Sequence, residues 1–260
     1  MTMVKTINFN DKTLDVSYVL QPIISRGGEL SCFEILGRVK DKNDGMIAVQ
    51  PQIAAKYTKI LIEYAYNLTA MNYFPNSKLS LNISHTEVNA DIVDMLLQLF
   101  YKRELANRVM IEVIEDVLIT SNIAELLIRL KENGFLIAFD DFCSEKSVRD
   151  LIVNYNFIDV IKFDGVFMQE ANKGKKELID GLKYLNSFAK SLGKKTIIEY
   201  IENKKLFEIA KTAGADYLQG FYLGKPHSIE YYKRKEKFFG KLHYSFNLAQ
   251  NYFINSSNLA

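Results

Sequence analysis

Ser17-Tyr18-Val19-Leu20-Gln21-Pro22-Ile23-Ile24, then Ser25-Arg26-Gly27-Gly28-Glu29, then Phe33-Glu34-Ile35-Leu36-Gly37-Arg38-Val39: this stretch decides the fold. The outer segments are β-rich apolar runs of strand length. The segment between them is far too short for a parallel crossover, and its paired glycines suit a hairpin because glycine accepts the positive φ such turns need. The first strand is therefore expected to run antiparallel to the rest.

Six further runs of the same kind lie near 78–84, 108–115, 135–141, 158–164, 194–201 and 216–222. They alternate with helix-like stretches near 52–73, 86–104, 121–133, 146–155, 173–192, 203–213 and from 229 onward, several ending at Gly134, Gly193 or Gly214. Eight strands and seven helices predict an α/β protein, a TIM-like (β/α)8 barrel with an antiparallel first strand. A doubly wound open sheet is the competing architecture. It often opens with a Gly-rich phosphate loop after its first strand, and no such loop follows here.

The 260 residues are 48% hydrophobic, enough to enclose one large core, and no Pro-rich, Gly/Ser-rich or charged stretch divides them. A single domain over 1–260 is expected, with a core at 17–228 and a C-terminal helical extension at 229–260. A net charge of +2, with basic residues spread along the chain, argues against general nucleic-acid binding. Cys32 and Cys143 lack metal-ligand spacing, as do His85, His227 and His243. No signal peptide or bilayer-length apolar run is present, so a cytoplasmic location is expected.

Side chains alternate faces along a strand, which tests whether the polar groups within these runs share one site. In Leu79-Ser80-Leu81-Asn82-Ile83-Ser84, Asn82 lies on the Ser80 and Ser84 face, opposite the large apolar residues, and points to the barrel axis. Glu112 shares a face with Ile114. Glu115 falls on the other face or in the following loop and reads as a supporting residue. The neighbouring carboxylates of Asp140 and Asp141 would repel one another unless cations lay between them. Read alone, the pair could equally cap the next turn. With Glu34, Glu199 and Lys162 in the remaining runs, the pattern describes hard oxygen ligands and one ammonium at a barrel rim, the chemistry of a divalent-cation site.

From about Gln21 to Pro226 the chain resembles the EAL domain of cyclic di-GMP phosphodiesterases. The residues that carry the resemblance are Gln21-Pro22-Ile23, Glu34-Ile35-Leu36-Gly37-Arg38 at the Glu-Ala-Leu-x-Arg signature, Leu81-Asn82-Ile83-Ser84, Ile111-Glu112-Val113-Ile114-Glu115 and Asp140-Asp141-Phe142. Ile161-Lys162-Phe163-Asp164, Glu199-Tyr200-Ile201-Glu202, Gln219-Gly220-Phe221-Tyr222 and Lys225-Pro226 follow in family order. The resemblance implies a barrel hydrolase that opens cyclic di-GMP to linear pGpG with two magnesium or manganese ions, and that calcium inhibits.

It also implies roles. Glu34, Asn82, Glu112 and Asp140 would hold one ion, and Asp140 and Asp141 the second. Glu199 and Lys162 would act on the attacking water, while Arg38, Gln21, Gln219 and Glu202 would serve the substrate and the rim. Water placed between two ions is acidified and aligned with the scissile P–O bond, so no protein nucleophile is needed.

The departures are specific. Ile35 replaces the signature Ala, Ile114 the usual Thr, and Tyr200 the Gly of a Glu-Gly-Val-Glu segment. Asp140-Asp141-Phe142 continues as Cys143-Ser144-Glu145-Lys146-Ser147 instead of the family's Gly-rich sequence. That loop helps order the second ion in the family and contributes to its dimer, so the second site is in doubt and a homodimer is only weakly implied. The alternative reading is an EAL-like domain of weak or absent activity that acts as a cyclic di-GMP receptor or an adaptor for a protein partner. The short segment before Gln21 leads to the expectation that no sensory or cyclase domain is fused there. In the tail, the aromatic and basic residues of Tyr231-Tyr232-Lys233-Arg234-Lys235-Glu236-Lys237-Phe238-Phe239 read as a last barrel helix with a solvated basic face.

Overall fold

Each of the eight apolar runs forms a strand of one closed sheet. The structure is a computed structural model that describes residues 4–9, 12–41, 45–47, 51–84, 87–114, 120–142 and 155–239. Its strands are β1 Lys5–Phe9, β2 Lys12–Ser25, β3 Leu30–Asp41, β4 Gly45–Ile47 and β5 Lys78–Asn82. They continue as β6 Val109–Ile114, β7 Leu136–Phe142, β8 Val160–Phe163, β9 Lys195–Ile198 and β10 Tyr217–Gln219. From β3 through β5, β6, β7, β8 and β9 to β10 the neighbours are parallel, and β2 closes the ring antiparallel to both β10 and β3. The reversal is made by the expected hairpin, in which the Gly28 N–H donates to the Ser25 carbonyl at 2.8 Å and Gly28 takes φ 94°.

The helices among the described residues are α1 Pro51–Ala70, α2 Ala90–Leu99, α3 Arg103–Ala106, α4 Ser121–Glu132, α5 Gly165–Asn172, α6 Lys176–Ser191, α7 Lys204–Thr212 and α8 Ile229–Phe239. Asn89, Thr120, Asp164 and Asn203 cap α2, α4, α5 and α7 by accepting backbone N–H bonds with their side chains. Gly134, Gly193 and Gly214 follow α4, α6 and α7 with positive φ, as the sequence suggested. The stretch read as one helix over 86–104 is split into α2 and α3, and α5 was not anticipated. The helix expected near 146–155 lies outside the described residues, apart from Tyr155.

Beyond the ring, β2 and β3 run on together as far as the Leu14–Asp41 pair, whereas β5 accompanies β3 only over Cys32–Ile35. The overhang stands at the end of β3 where the parallel strands finish. β1 pairs with its β2 edge and β4 with its β3 edge. Both added strands escaped the sequence reading because they are short, five and three residues, and take their partners from the overhang.

Two shells of apolar packing follow from strand alternation. The larger lies between the sheet and the helices, where Leu79, Leu81, Ile111, Val113, Ile137, Phe139, Ile161 and Phe163 face outward. The smaller comprises Ile23, Cys32, Met110, Ala138, Val160 and Ile197 inside the barrel. On α8, Tyr232 packs its ring 4.6 Å from Phe33 and donates its hydroxyl to the Lys225 carbonyl, while Arg234 is exposed.

Candidate active site

One step along each strand from the inner apolar layer, the alternation delivers a polar residue. Above Cys32 comes Glu34, above Met110 comes Glu112, above Ala138 comes Asp140, above Val160 comes Lys162 and above Ile197 comes Glu199. Register aligns these positions across strands: Gln21 opposes Glu34, Glu34 opposes Ser80, and Asn82 opposes Glu112. A polar ring thus rests on an apolar floor near the C-terminal ends of the parallel strands, the functional end of a β/α barrel.

Lys162 organises the ring. Its side chain is 1% exposed, and its Nζ lies 2.7 Å from Glu112 Oε2, 2.8 Å from Glu199 Oε1 and 3.1 Å from Asp140 Oδ1. Ser80 donates its hydroxyl to the other oxygen of Glu112, so that fully buried carboxylate is satisfied on both sides. Glu34 receives Asn82 Nδ2 at 2.5 Å on one oxygen and Gln219 Nε2 at 2.6 Å on the other. Three carboxylates therefore share the Lys162 ammonium, and a fourth, Glu34, is held by two amides.

Burial pushes Glu112 up to about 8, with Glu34 and Asp140 adding to the rise and Lys162 opposing it. Burial likewise pushes Glu199 up to about 7, against the pull of Lys162. Burial alone would push Lys162 down, but Glu112, Glu199, Glu34 and Asp140 hold it well above the ordinary lysine range. The floor carries the same imprint, since Cys32 is raised by burial and then by Glu112 and Glu34.

The donor set suits a hard divalent cation: carboxylates with neutral amide oxygens available from Asn82 and Gln219. Gln219 Oε1 is buried with no hydrogen-bond partner among the described residues, an acceptor in need of a cation or donor. In the present side-chain arrangement the described acids do not form a ready-made group of three ligands. Glu112, Asp140 and Glu199 converge on Lys162 instead, and Asn82 turns its NH2 group to Glu34. A half-turn of that amide would offer its oxygen.

The anticipated residues divide accordingly. Direct contacts join Glu34, Asn82 and Gln219 in one group and Lys162, Glu112, Asp140 and Glu199 in another, the register sets Asn82 beside Glu112, and Gln21 is buried opposite Glu34. No contact among the described residues joins Glu202 to either group: it is exposed, and its charge opposes ionisation of Tyr200. Nor does it begin α7, which Asn203 caps. Arg38 lies one alternation step past Leu36 on the overhang, half-buried, and donates to the Gly37 carbonyl at 2.8 Å. Beside it the Tyr57 hydroxyl occupies the space of the missing Gly37 side chain, since a Cβ there would lie 1.4 Å from it. Burial raises the Tyr57 hydroxyl to about 12, with Arg38 opposing. Asp141 belongs to β7, where the pairing with β8 shifts register, but its side chain lies outside the described residues, as do Glu115 and Cys143–Ser147. Ser80 and Tyr57 were missed. Ser80 was legible from its shared face with Asn82, whereas Tyr57 had no local signal.

Fold and rim together define a closed β/α barrel with a buried polyacidic site at the C-terminal ends of its strands. The model of the EAL domain family matches residues 9–226, and the chain belongs to that family. Among its relatives, the cyclic di-GMP phosphodiesterase PdeF of Escherichia coli K12 is 29% identical over 226 residues, covering 80% of this chain and 30% of that protein. The chain spans less than a third of the length of the curated relatives it matches. The fold is shared with an EAL domain protein of Listeria monocytogenes, at TM-score 0.74 and 20% identity over 86% of this chain and 93% of that one. It is shared also with a standalone EAL protein of Vibrio cholerae in its cyclic di-GMP bound form, at TM-score 0.69 and 22% identity over 84% of this chain and 94% of that one. Among the described residues no helix is long and apolar enough to cross a membrane.

Proposed function

We propose that this chain hydrolyses cyclic di-GMP to linear pGpG, using magnesium or manganese held at the barrel rim. The observation that carries the reading is the buried Lys162 shared among Glu112, Asp140 and Glu199, with Glu34 beside them between two amides. Family membership and the printed name of PdeF supply the substrate class.

Glu34, Asn82, Glu112 and Asp140 would hold the first ion, and Asp140 with Asp141 the second. Bound ions would acidify the attacking water and neutralise charge on the phosphate and the departing 3′ oxygen. Glu199 is the base in this reading: a carboxylate near 7 accepts a proton from water at neutral pH and is held in place through Oε1 by Lys162. Lys162, held in its charged form by the surrounding carboxylates, favours the anionic form of the nucleophile and opposes the rise that burial imposes on Glu112. Arg38 supplies a guanidinium for a phosphate, and Gln219 and Gln21 line the Glu34 side.

Purified protein incubated with cyclic di-GMP and magnesium, then manganese, tests this by chromatography of the products. Conversion to pGpG that is lost in Glu34→Ala supports the reading. A folded protein that binds cyclic di-GMP but leaves it intact with both ions would refute hydrolysis and favour a receptor role.

A further inference from the structure

Tyr200 holds a left-handed backbone, φ 59°, that residues bearing a Cβ disfavour. Two other non-glycine residues among those described share positive φ, Asn72 and Phe74, and both have a structural cause. They form the turn after α1, where Arg108 donates to the Asn72 side chain and to the Phe74 carbonyl, each at 3.0 Å. Tyr200 differs from them in its place in the fold. It follows Glu199 directly, and the residue is 38% exposed, so burial of the side chain does not account for the backbone.

The ring is nevertheless fixed. Its Cβ and ring edge lie against Gly165, the first residue of α5, three positions after Lys162, and the charge of Glu202 opposes ionisation of its hydroxyl. A Cβ at Gly165 would lie 2.8 Å from Tyr200 Cβ and 3.1 Å from its Cγ, so the ring can sit there only because residue 165 is glycine. A left-handed Cα and a glycine seat fix one part-exposed aromatic face on the residue that follows Glu199.

We propose that Tyr200 is a preformed stacking platform for a purine base of the substrate, an inference that rests on reading the site as a cyclic dinucleotide pocket. The acids, Lys162 and Arg38 answer the charges of the phosphodiester ring, but none offers a flat apolar face to a nucleobase. Tyr200 offers one at the mouth, with its orientation set before the ligand arrives, and a preorganised ring loses little freedom on binding. Stacking on an aromatic side chain is the sequence-tolerant way proteins hold bases.

The chain contains no tryptophan, so Tyr200→Trp introduces a single indole at this position. Stopped-flow fluorescence with cyclic di-GMP in magnesium is expected to show that indole quenched on binding, faster than turnover. Tyr200→Gly is expected to weaken binding by about 5- to 150-fold, the range that base stacking supplies. Tyr200→Phe keeps the face and is expected to stay within about threefold of the parent. Hydrolysis of methyl p-nitrophenyl phosphate, which carries no nucleobase, should change by less than about twofold in Tyr200→Gly if Tyr200 serves the base and not the position of Glu199. Glycine is at ease with positive φ, so the thermal midpoint of Tyr200→Gly should hold or rise.

Unquenched indole emission, or Tyr200→Gly binding cyclic di-GMP as tightly as the parent, overturns the platform while leaving the phosphodiesterase reading intact. An equal loss on the base-free diester overturns it in favour of a positioning role. A parent protein that does not bind cyclic di-GMP at all brings down the site reading, and the platform with it.

Discussion

Lys162→Met tests whether the ammonium is the electrostatic keystone of the rim. Methionine keeps the length of the side chain and removes the charge. The substitution leaves Glu112, Asp140 and Glu199, now 2.7 to 3.1 Å from that ammonium, facing one another in a buried ring with Glu34 nearby. Removing one partner of a buried ion pair costs about 3–5 kcal/mol. In a domain of this size that corresponds to a loss of roughly 6–20 °C in thermal midpoint. The pH dependence has a definite sign. Glu112 at about 8 and Glu199 at about 7 lie above the unfolded glutamate value of about 4.3, so the folded state binds their protons more tightly. Their contribution to stability is fully present below the unfolded value and is lost as pH rises through 7 to 8. Without Lys162 both carboxyls rise further, so the deficit of the variant should be small at pH 5 and largest near pH 8.5. Circular-dichroism melts in EDTA at the two pH values measure it, and added manganese should narrow the gap at pH 8.5 by supplying the missing positive charge. A variant that melts with the parent at pH 8.5, or whose deficit is the same at both pH values, would refute the assignment of Lys162 as counter-charge.

Ser80→Ala strips one donor from the buried Glu112 carboxylate and should cost about 1–3 kcal/mol in urea unfolding, the penalty of an orphaned buried acceptor; an unchanged midpoint would mean that the contact contributes nothing. Gly37→Ala drives a methyl into the Tyr57 hydroxyl and should destabilise by about 1–3 kcal/mol, whereas in a Tyr57→Ala background the same change should be nearly silent. Additive losses in that cycle would disprove the contact. Asn203→Ala removes the side-chain acceptor from the first turn of α7 and should cost about 1 kcal/mol, while Glu202→Ala, which caps nothing there, should leave the unfolding midpoint within about 0.5 kcal/mol of the parent.

The ring was legible because strand alternation is a strict rule. Glu34, Asn82, Glu112, Lys162 and Glu199 each sit in a short apolar run, and once the run is a strand its parity assigns the face. The antiparallel first strand was legible from the five-residue junction Ser25–Glu29, which admits no parallel crossover, and the barrel from the count of eight strands and seven helices. What could not be read is what depends on distant partners. Gln219 meets Glu34 across 185 positions of sequence, and Tyr57 fills the space at Gly37 from a different element. β1 and β4 exist because β2 and β3 overrun the barrel, a length set by their mutual pairing and by no signal within Lys5–Phe9 or Gly45–Ile47 themselves. Glu202 was given its supporting role by motif position alone, and in the fold it is exposed, with a charge that opposes ionisation of Tyr200.

Tyr200 shows how a substitution and its consequence separate. The exchange of glycine for tyrosine is visible in the sequence, and the simplest expectation is that the backbone relaxes to a conformation tyrosine prefers. The backbone is instead left-handed, because relaxing it would disturb the strand end that carries Glu199 and the adjoining Ile201, whose N–H donates to the Gln219 carbonyl and whose carbonyl accepts from Tyr222. Those two bonds stitch the segment after β9 to the end of β10, so Glu199 and Gln219 are held by the same backbone. The strain of a non-glycine residue at this φ, about 1–3 kcal/mol, is borne so that both rim residues keep their places. The geometry of the rim therefore outranks the local preference of the residue placed in it.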